Sequence, residues 1–292
     1  SAPATNRADL ARWMGASNNS LFRRTIANRL WQFHFGQPLA ATSSDLGRTG
    51  KHPTHPALLD WLAAELSQRE WSLKAMHRLL LTSATYRQVS HGRGATWKRR
   101  LTLDPENQLY SRMNRRRLDG ETLRDTLLAI SGQATQRAGG PGVRPPLPRE
   151  ITSMLLKNQW PVSKSVEDHH RRSVYLFARR NLRYPLFELF DRPDGTVSCS
   201  RRKESTTAPQ SLILLNSDFS LASARALAKR LAKLDKFTAV RELYSRLFQR
   251  QPSESDVRLA KLFLAKQEPN GIDPIARLAL ALINLNEFLF LD

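Results

Sequence analysis

The sequence has little of several features, and each scarcity excludes a class of protein. It contains one cysteine, Cys199, in 292 residues, so no disulfide can form within the chain. No Cys-x-x-Cys-His sequence occurs, which excludes covalent attachment of a c-type haem. No apolar run reaches the roughly 20 residues that a membrane helix needs, because polar side chains interrupt residues 278–291. We therefore expect a folded protein with no membrane span, no cofactor and no metal.

Acidic residues are scarce relative to basic ones. The chain has 26 Asp and Glu against 46 Lys and Arg, a net charge of +20, and a sequence pI near 11.0. Hydrophobic residues make up 40%, too many for a disordered polyelectrolyte. So basic a surface attracts polyanions such as acidic glycans and nucleic acid. The basic clusters are scattered along the sequence instead of forming one helical stripe, and this disfavours a nucleic-acid module.

Apolar spacing predicts helices through most of the chain. Phe22, Ile26, Leu30 and Phe33 recur at helical intervals, and Leu73 opens a later amphipathic segment whose apolar residues should face inward. Residues 173–177 are β-branched and aromatic and carry the one strand signal. The sequence therefore predicts a mainly α-helical, multi-helix globular bundle with at most a small β element near residues 173–178.

Glycine and proline suggest where the chain divides. Residues 133–149 contain Gly-Gly-Pro-Gly and Pro-Pro, which break helices and central strands. We expect a helical part over residues 1–132 and an irregular, basic connecting region over 133–206 that holds the short strand. A second helical part should follow over residues 207–292.

Three blocks of sequence carry a family resemblance. The first is residues 28–36 (NRLWQFHFG) with 45–47 and 55–62, the second is 190–194 (FDRPD), and the third is 205–216 (STTAPQSLILLN). Together, in this order, they resemble the DUF1553 domain of large exported planctomycete proteins. That resemblance implies location in the periplasm or cell envelope, and neighbouring DUF1549 or cytochrome-c-like domains as partners. It brings no established activity.

The start of the chain shows no basic-then-apolar leader, so we expect no signal peptide within it. With the resemblance to exported proteins, this predicts an excised C-terminal portion of a longer protein.

The candidate catalytic residues are carboxylates and the thiol. Asp45 follows two serines in a loop, where a turn explains it better than a site does. Asp191 and Asp194 bracket a proline and could serve acid–base chemistry. Neighbouring cations would make the Cys199 thiol more reactive, but a buried structural cysteine is the favoured interpretation.

The candidate binding residues are Arg29, His55, Arg201 and Arg202. Arg29 is expected to form an ion pair with Asp45 or Asp60. For His55, capping of a helix that begins with Pro56 is favoured over metal binding.

Three functional hypotheses follow. The leading one is a non-catalytic accessory or scaffold domain of an exported envelope protein, which contacts neighbouring domains or anionic polymers such as acidic glycans. The alternatives are an enzyme that acts on an envelope polymer through Asp191 and Asp194, and a nucleic-acid-binding protein driven by its charge.

Overall fold

A computed structural model describes residues 6–16, 18–156, 159–266 and 271–291. The chain divides into two compact units, one ending at Arg116 and the other running from Arg117 to Leu291. Within the described residues no helix is long and apolar enough to cross a membrane. The prediction of a mainly α-helical fold is confirmed, with fifteen α-helices and two short strands in the described part.

The described residues of the first unit form five helices. They are α1 (Arg7–Gly15), α2 (Ser20–Phe35), α3 (Pro56–Gln68), α4 (Leu73–Leu81) and α5 (Ala95–Leu103). Asn19 accepts the Phe22 N–H at 3.1 Å and so begins α2. Gly36 ends α2 because its φ of +78° suits glycine. Ser72 caps α4 in the same way as Asn19 caps α2.

The core of the first unit combines aliphatic side chains with an aromatic cluster. Trp31 and Phe35 stack on α2 with ring centroids 3.9 Å apart, and Tyr110 packs edge-on against Trp31 at 5.0 Å. The buried amide of Asn28 donates to the Ala40 carbonyl and accepts its N–H, at 3.1 and 2.9 Å. These two bonds hold the loop that follows α2 against the helix, which positions the Asp45 turn.

The second unit contains ten helices among its described residues. They are α6 (Gly120–Ser131), α7 (Arg149–Thr152), α8 (Val166–His169), α9 (Pro185–Leu189), α10 (Ala208–Asn216), α11 (Asp218–Leu231), α12 (Lys236–Phe248), α13 (Glu254–Ala265), α14 (Pro274–Ile283) and α15 (Asn286–Leu289). Strand β1 (Arg116–Arg117) pairs with β2 (Phe290–Leu291), and the Leu118 N–H extends the pairing to the Leu289 carbonyl at 2.8 Å.

Helix α14 is the centre of the second unit. Seven of its residues are buried, and it packs against α11, α12 and α13. Asp273 caps it through the Ile275 and Ala276 N–H groups, with Pro274 at the first helical position. The apolar character of residues 278–291 thus reflects a buried helix and the short segment after it.

Three sequence-based expectations are wrong in detail. Ser173–Tyr175 forms a 3-10 turn and not a strand, because the Asp125 carboxylate takes the Ser173 N–H and hydroxyl at 2.7 and 2.6 Å. Isolated bridges lie nearby instead, among them one from Val143 to Leu176. Phe33 is 65% exposed, since Trp31 occupies the inward position on α2, and Leu73 is 51% exposed.

The division into three parts stays a prediction. The connecting region, residues 133–206, contains the short helices α7, α8 and α9.

Candidate functional site

Asp191 is the centre of a polar network in the second unit. Its φ of +61° places it in the left-handed region just after α9, where Asp is tolerated. Its carboxylate accepts Arg117 Nη2 at 2.6 Å and the Ser205 N–H at 2.8 Å. The Ser205 hydroxyl lies 2.8 and 2.9 Å from its two oxygens. Both oxygens of Asp191 therefore have partners.

Arg117 explains why Asp191 is held so firmly. Its side chain is only 4% exposed, and its guanidinium lies 4.9 Å from the centre of the Phe190 ring. A buried cation needs a counter-charge, and Asp191 supplies it. The pair is a structural connection between the start of the second unit and the segment after α9.

Gln210 completes the network at the start of α10. Its amide nitrogen donates to the carbonyls of Leu189 and Ser205, at 2.8 and 3.1 Å. Its oxygen accepts the Thr207 N–H at 3.2 Å, which with the Thr207 side chain makes a capping box. The second and third sequence blocks are thus joined by hydrogen bonds.

Asp194 and Cys199 lie outside this network. Asp194 accepts the N–H and hydroxyl of Thr196 at 2.9 and 2.8 Å, and the backbone bond foremost lowers the pKa of the carboxyl. Cys199 is exposed, and its thiol donates to the Arg201 carbonyl at 3.2 Å. The expectation of a buried cysteine is wrong, because the turn-rich segment runs along the surface.

The two predicted arginines of this region differ. Arg202 contacts Glu121 with both terminal nitrogens, at 2.9 and 3.1 Å, and lies 3.4 Å from Asp119. These two carboxylates outweigh the effect of burial and raise the pKa of Arg202. The Arg201 side chain is exposed.

In the first unit, Asp45 forms the turn that its sequence indicates. It accepts the Thr49 hydroxyl at 2.7 Å and the Gly47 N–H at 2.9 Å, and these bonds, Thr49 first, lower the pKa of its carboxyl. His55 is the residue before α3, but its side chain bonds the Thr54 hydroxyl at 3.0 Å and caps no helical N–H.

The predicted ion pair of Arg29 is wrong. Arg29 is exposed, and Arg24, five residues earlier on α2, contacts Asp60 at 2.5 Å. In the part of the chain that the structure describes, no three His, Cys, Asp or Glu side chains gather as a metal site would require.

A cavity rich in arginine lies beside the Asp194 turn, within the second unit. We call it the arginine cavity: about 230 Å³, with a lining that includes Arg179, Arg180, Arg183 and Arg192. An antiparallel bridge between Arg179 and Leu182 folds this segment into a tight turn that presents the first three. The Arg179-Arg180 pair is visible in the sequence as one of the scattered basic clusters, but its place beside Arg192 is not, since Arg192 follows α9.

Carboxylates only partly neutralise the arginine cavity. Asp194 is the acidic residue in its lining, and Arg183 and Arg192 have Glu188 and Glu121 at 3.7 and 3.4 Å. Arg180 is exposed, and no described carboxylate lies within 4.0 Å of it. Arginine forks suit carboxylate, sulfate and phosphate groups, so this geometry favours anion binding.

Comparison with known proteins assigns the family. The model of a family described as PSD1, protein of unknown function (DUF1553), matches residues 6–264. The chain belongs to the DUF1553 family. All three sequence blocks of this DUF1553 domain fall within the matched residues. No curated protein and no solved structure matches it.

Proposed function

We propose that this DUF1553 chain is a non-catalytic accessory domain of an exported envelope protein, of the planctomycete type, and that it binds acidic polymers. The observation that carries the proposal is the arginine cavity, whose lining contains four arginines and one acidic residue, Asp194. The net charge of +20 would draw a polyanion toward this surface. Neighbouring DUF1549 or cytochrome-c-like domains of the same protein are its proposed partners.

The arrangement of the carboxylates supports binding over catalysis. Asp191 is occupied by Arg117 and Ser205, and Asp194 is occupied by Thr196. A general acid or base must be able to reach a substrate proton, and these partners fill the positions from which it would act. An enzyme using Asp191 and Asp194 would have to break a buried ion pair first.

Heparin chromatography of the full chain tests the proposal. We expect retention at near-physiological salt, with elution that depends steeply on salt because counterions are released. Replacing Arg180 and Arg183 by glutamine should move elution to clearly lower salt. The matched control is Arg225→Gln with Lys229→Gln, which removes two exposed charges from α11, outside the cavity.

The outcomes separate the hypotheses. If both double variants elute together, total charge and not the cavity governs binding, and the proposal fails. Stronger retention on duplex DNA than on heparin would favour the nucleic-acid alternative. Separately expressed neighbouring domains that fail to co-purify with this chain would contradict the proposed partners.

A further inference from the structure

A second cavity in the same unit has a different chemistry. It measures about 250 Å³, and three prolines of residues 145–148 form one side of it. Leu186, Ile213 and Phe219 are also in its lining. We call it the proline cavity. Apolar walls with a few converging polar groups are typical of small-molecule sites.

The cation in the lining, Arg124, is already committed to the protein. It is 1% exposed, and its Nη1 donates to the Arg171 carbonyl at 2.8 Å while its Nη2 donates to the His169 carbonyl. Asp125 lies 3.7 Å from Nη1. An anionic ligand would therefore lose its hydration without gaining an ion pair with Arg124.

Two neutral hydrogen-bonding groups remain in the lining. His170 makes no side-chain hydrogen bond or ion pair with the described residues. Burial, then the Arg124 charge, then His169, lower the pKa of His170, so its imidazole is neutral at pH 7. Burial raises the pKa of Tyr184 against the opposing charge and hydrogen bond of Arg124, so its phenol stays protonated. The neutral imidazole of His170 can donate one hydrogen bond and accept another.

Charge therefore selects the ligand. A cation would be repelled by Arg124, while an anion would be repelled by Asp218 and would find Arg124 already bonded to protein groups. An uncharged ring avoids both charge repulsions and packs on the prolines and Phe219. A cavity of about 150 Å³ is known to hold benzene, so this one has room for one substituted ring.

We propose that the proline cavity binds one uncharged aromatic ring that carries a hydroxyl group, a small phenol. The ring lies among the prolines and Phe219, and its hydroxyl bonds the imidazole of His170. This site is independent of the proposed polyanion function, and neither proposal requires the other.

Ligand-observed NMR titration of the full chain tests this assignment. The probes are 4-methylphenol, toluene and benzoate at pH 7.5. We expect saturable binding of 4-methylphenol. Toluene should bind roughly five- to tenfold more weakly, because it has no hydroxyl group and cannot form the hydrogen bond to His170. Benzoate should bind more weakly still. Equal affinities for the three probes, or a preference for benzoate, would overturn the proposal.

Two variants locate the site. His170→Phe should weaken 4-methylphenol about as much as loss of its hydroxyl does, and leave toluene unchanged. Ile213→Trp should fill the cavity and abolish both, whereas Leu212→Trp, at a neighbouring residue that is 55% exposed, should abolish neither. Should Ile213→Trp fail to fold, the His170→Phe comparison decides alone.

A competition experiment distinguishes two sources of the phenol. N-acetyltyrosinamide that displaces 4-methylphenol would point to a tyrosine side chain of a peptide. Displacement by free phenols alone would point to a small metabolite. Binding of 4-methylphenol that His170→Phe leaves intact would contradict the proposed contact in either case.

Discussion

At the scale of single residues, Asp191 of the FDRPD block was a candidate for catalysis but has a structural role. Asp191 neutralises Arg117 and fixes Ser205, which lies 14 positions later in the chain. The left-handed backbone at Asp191 adds to this interpretation, because Asp adopts it more readily than most residues. Two charge-removing substitutions distinguish structural from exposed carboxylates.

Asp191→Asn should destabilise the second unit by about 3 kcal/mol, because it leaves the buried Arg117 cation without a counter-charge. Urea unfolding followed by far-UV circular dichroism measures the change. Asp194→Asn is the matched control, since it also removes one negative charge but keeps the turn to Thr196, and it should lower the urea midpoint far less because Asp194 neutralises no buried cation. Equal midpoints for the two variants would contradict the structural role of the ion pair.

A second residue-scale prediction concerns pH and the first unit. His34 on α2 lies 2.8 Å from His77 on α4, nitrogen to nitrogen. Burial, then His77, then Arg116 lower the pKa of His34 below its usual 6.5. Well above pH 6.5 the imidazole is neutral in both the folded and unfolded states, so protonation of His34 takes nothing from the free energy of unfolding there. As pH falls below 6.5, the unfolded chain binds the proton first and stability is lost.

Tryptophan fluorescence can follow this loss, because five of the six tryptophans precede Arg117. We expect the urea midpoint of the native chain to decline between pH 7 and pH 5, before most carboxylates titrate. His34→Phe should flatten that decline. A decline equally steep in His34→Phe would show that another group is responsible.

At the scale of elements, the residues that begin helices can be identified from the sequence, but the side of a helix that faces the core cannot. Asn19, Ser253 and Asp273 begin helices as their side chains predict, since capping involves neighbours within three residues. The predictions for Phe33 and Arg29 were wrong because helical spacing does not fix which side of α2 faces the core. Only packing decides whether Trp31 or Phe33 faces inward.

Contacts between residues far apart in the chain could not be predicted from the sequence, for a different reason. Arg117 and Asp191 are 74 positions apart, and Arg124 meets the Arg171 carbonyl across 47. Nothing in a single sequence specifies such pairs. The sites at the two cavities therefore emerged only from the structure, although the Arg179-Arg180 pair was visible beforehand.

Close packing of two elements gives a sharper test. Gly120 starts α6, and a Cβ there would lie 2.9 Å from the Phe187 Cα and 3.0 Å from the Leu186 carbonyl oxygen, both backbone atoms of α9. Gly120→Ala should cost about 1–3 kcal/mol, because α9 must move away. Thermal unfolding measures it.

Thr122→Ala is the control for Gly120→Ala, on the exposed side of the same helix, and should change stability by less than about 0.5 kcal/mol. A tolerated Gly120→Ala would mean that α6 and α9 are less closely packed than the structure has them.

At the scale of the whole molecule, the second unit has the attributes of an independent domain. It has one continuous apolar core that extends from Leu123 on α6 to Leu289 on α15. Its candidate sites, the Asp191 network and both cavities, all lie within residues 117–291. Domains with their own core can fold alone.

A fragment of residues 117–291 should therefore be helical and unfold in one cooperative transition. Circular dichroism and urea titration check this, and the fragment should keep heparin retention that Arg180→Gln with Arg183→Gln weakens. A fragment without a cooperative transition would show that the second unit needs the preceding residues to fold.

Cys199 has a practical consequence. As the sole thiol of the chain, and an exposed one, it offers a ready-made attachment point for a maleimide fluorophore near the Asp194 turn. The same thiol can cross-link two copies through an intermolecular disulfide in air. Reducing agent in every preparation would therefore keep covalent dimers from being mistaken for natural association.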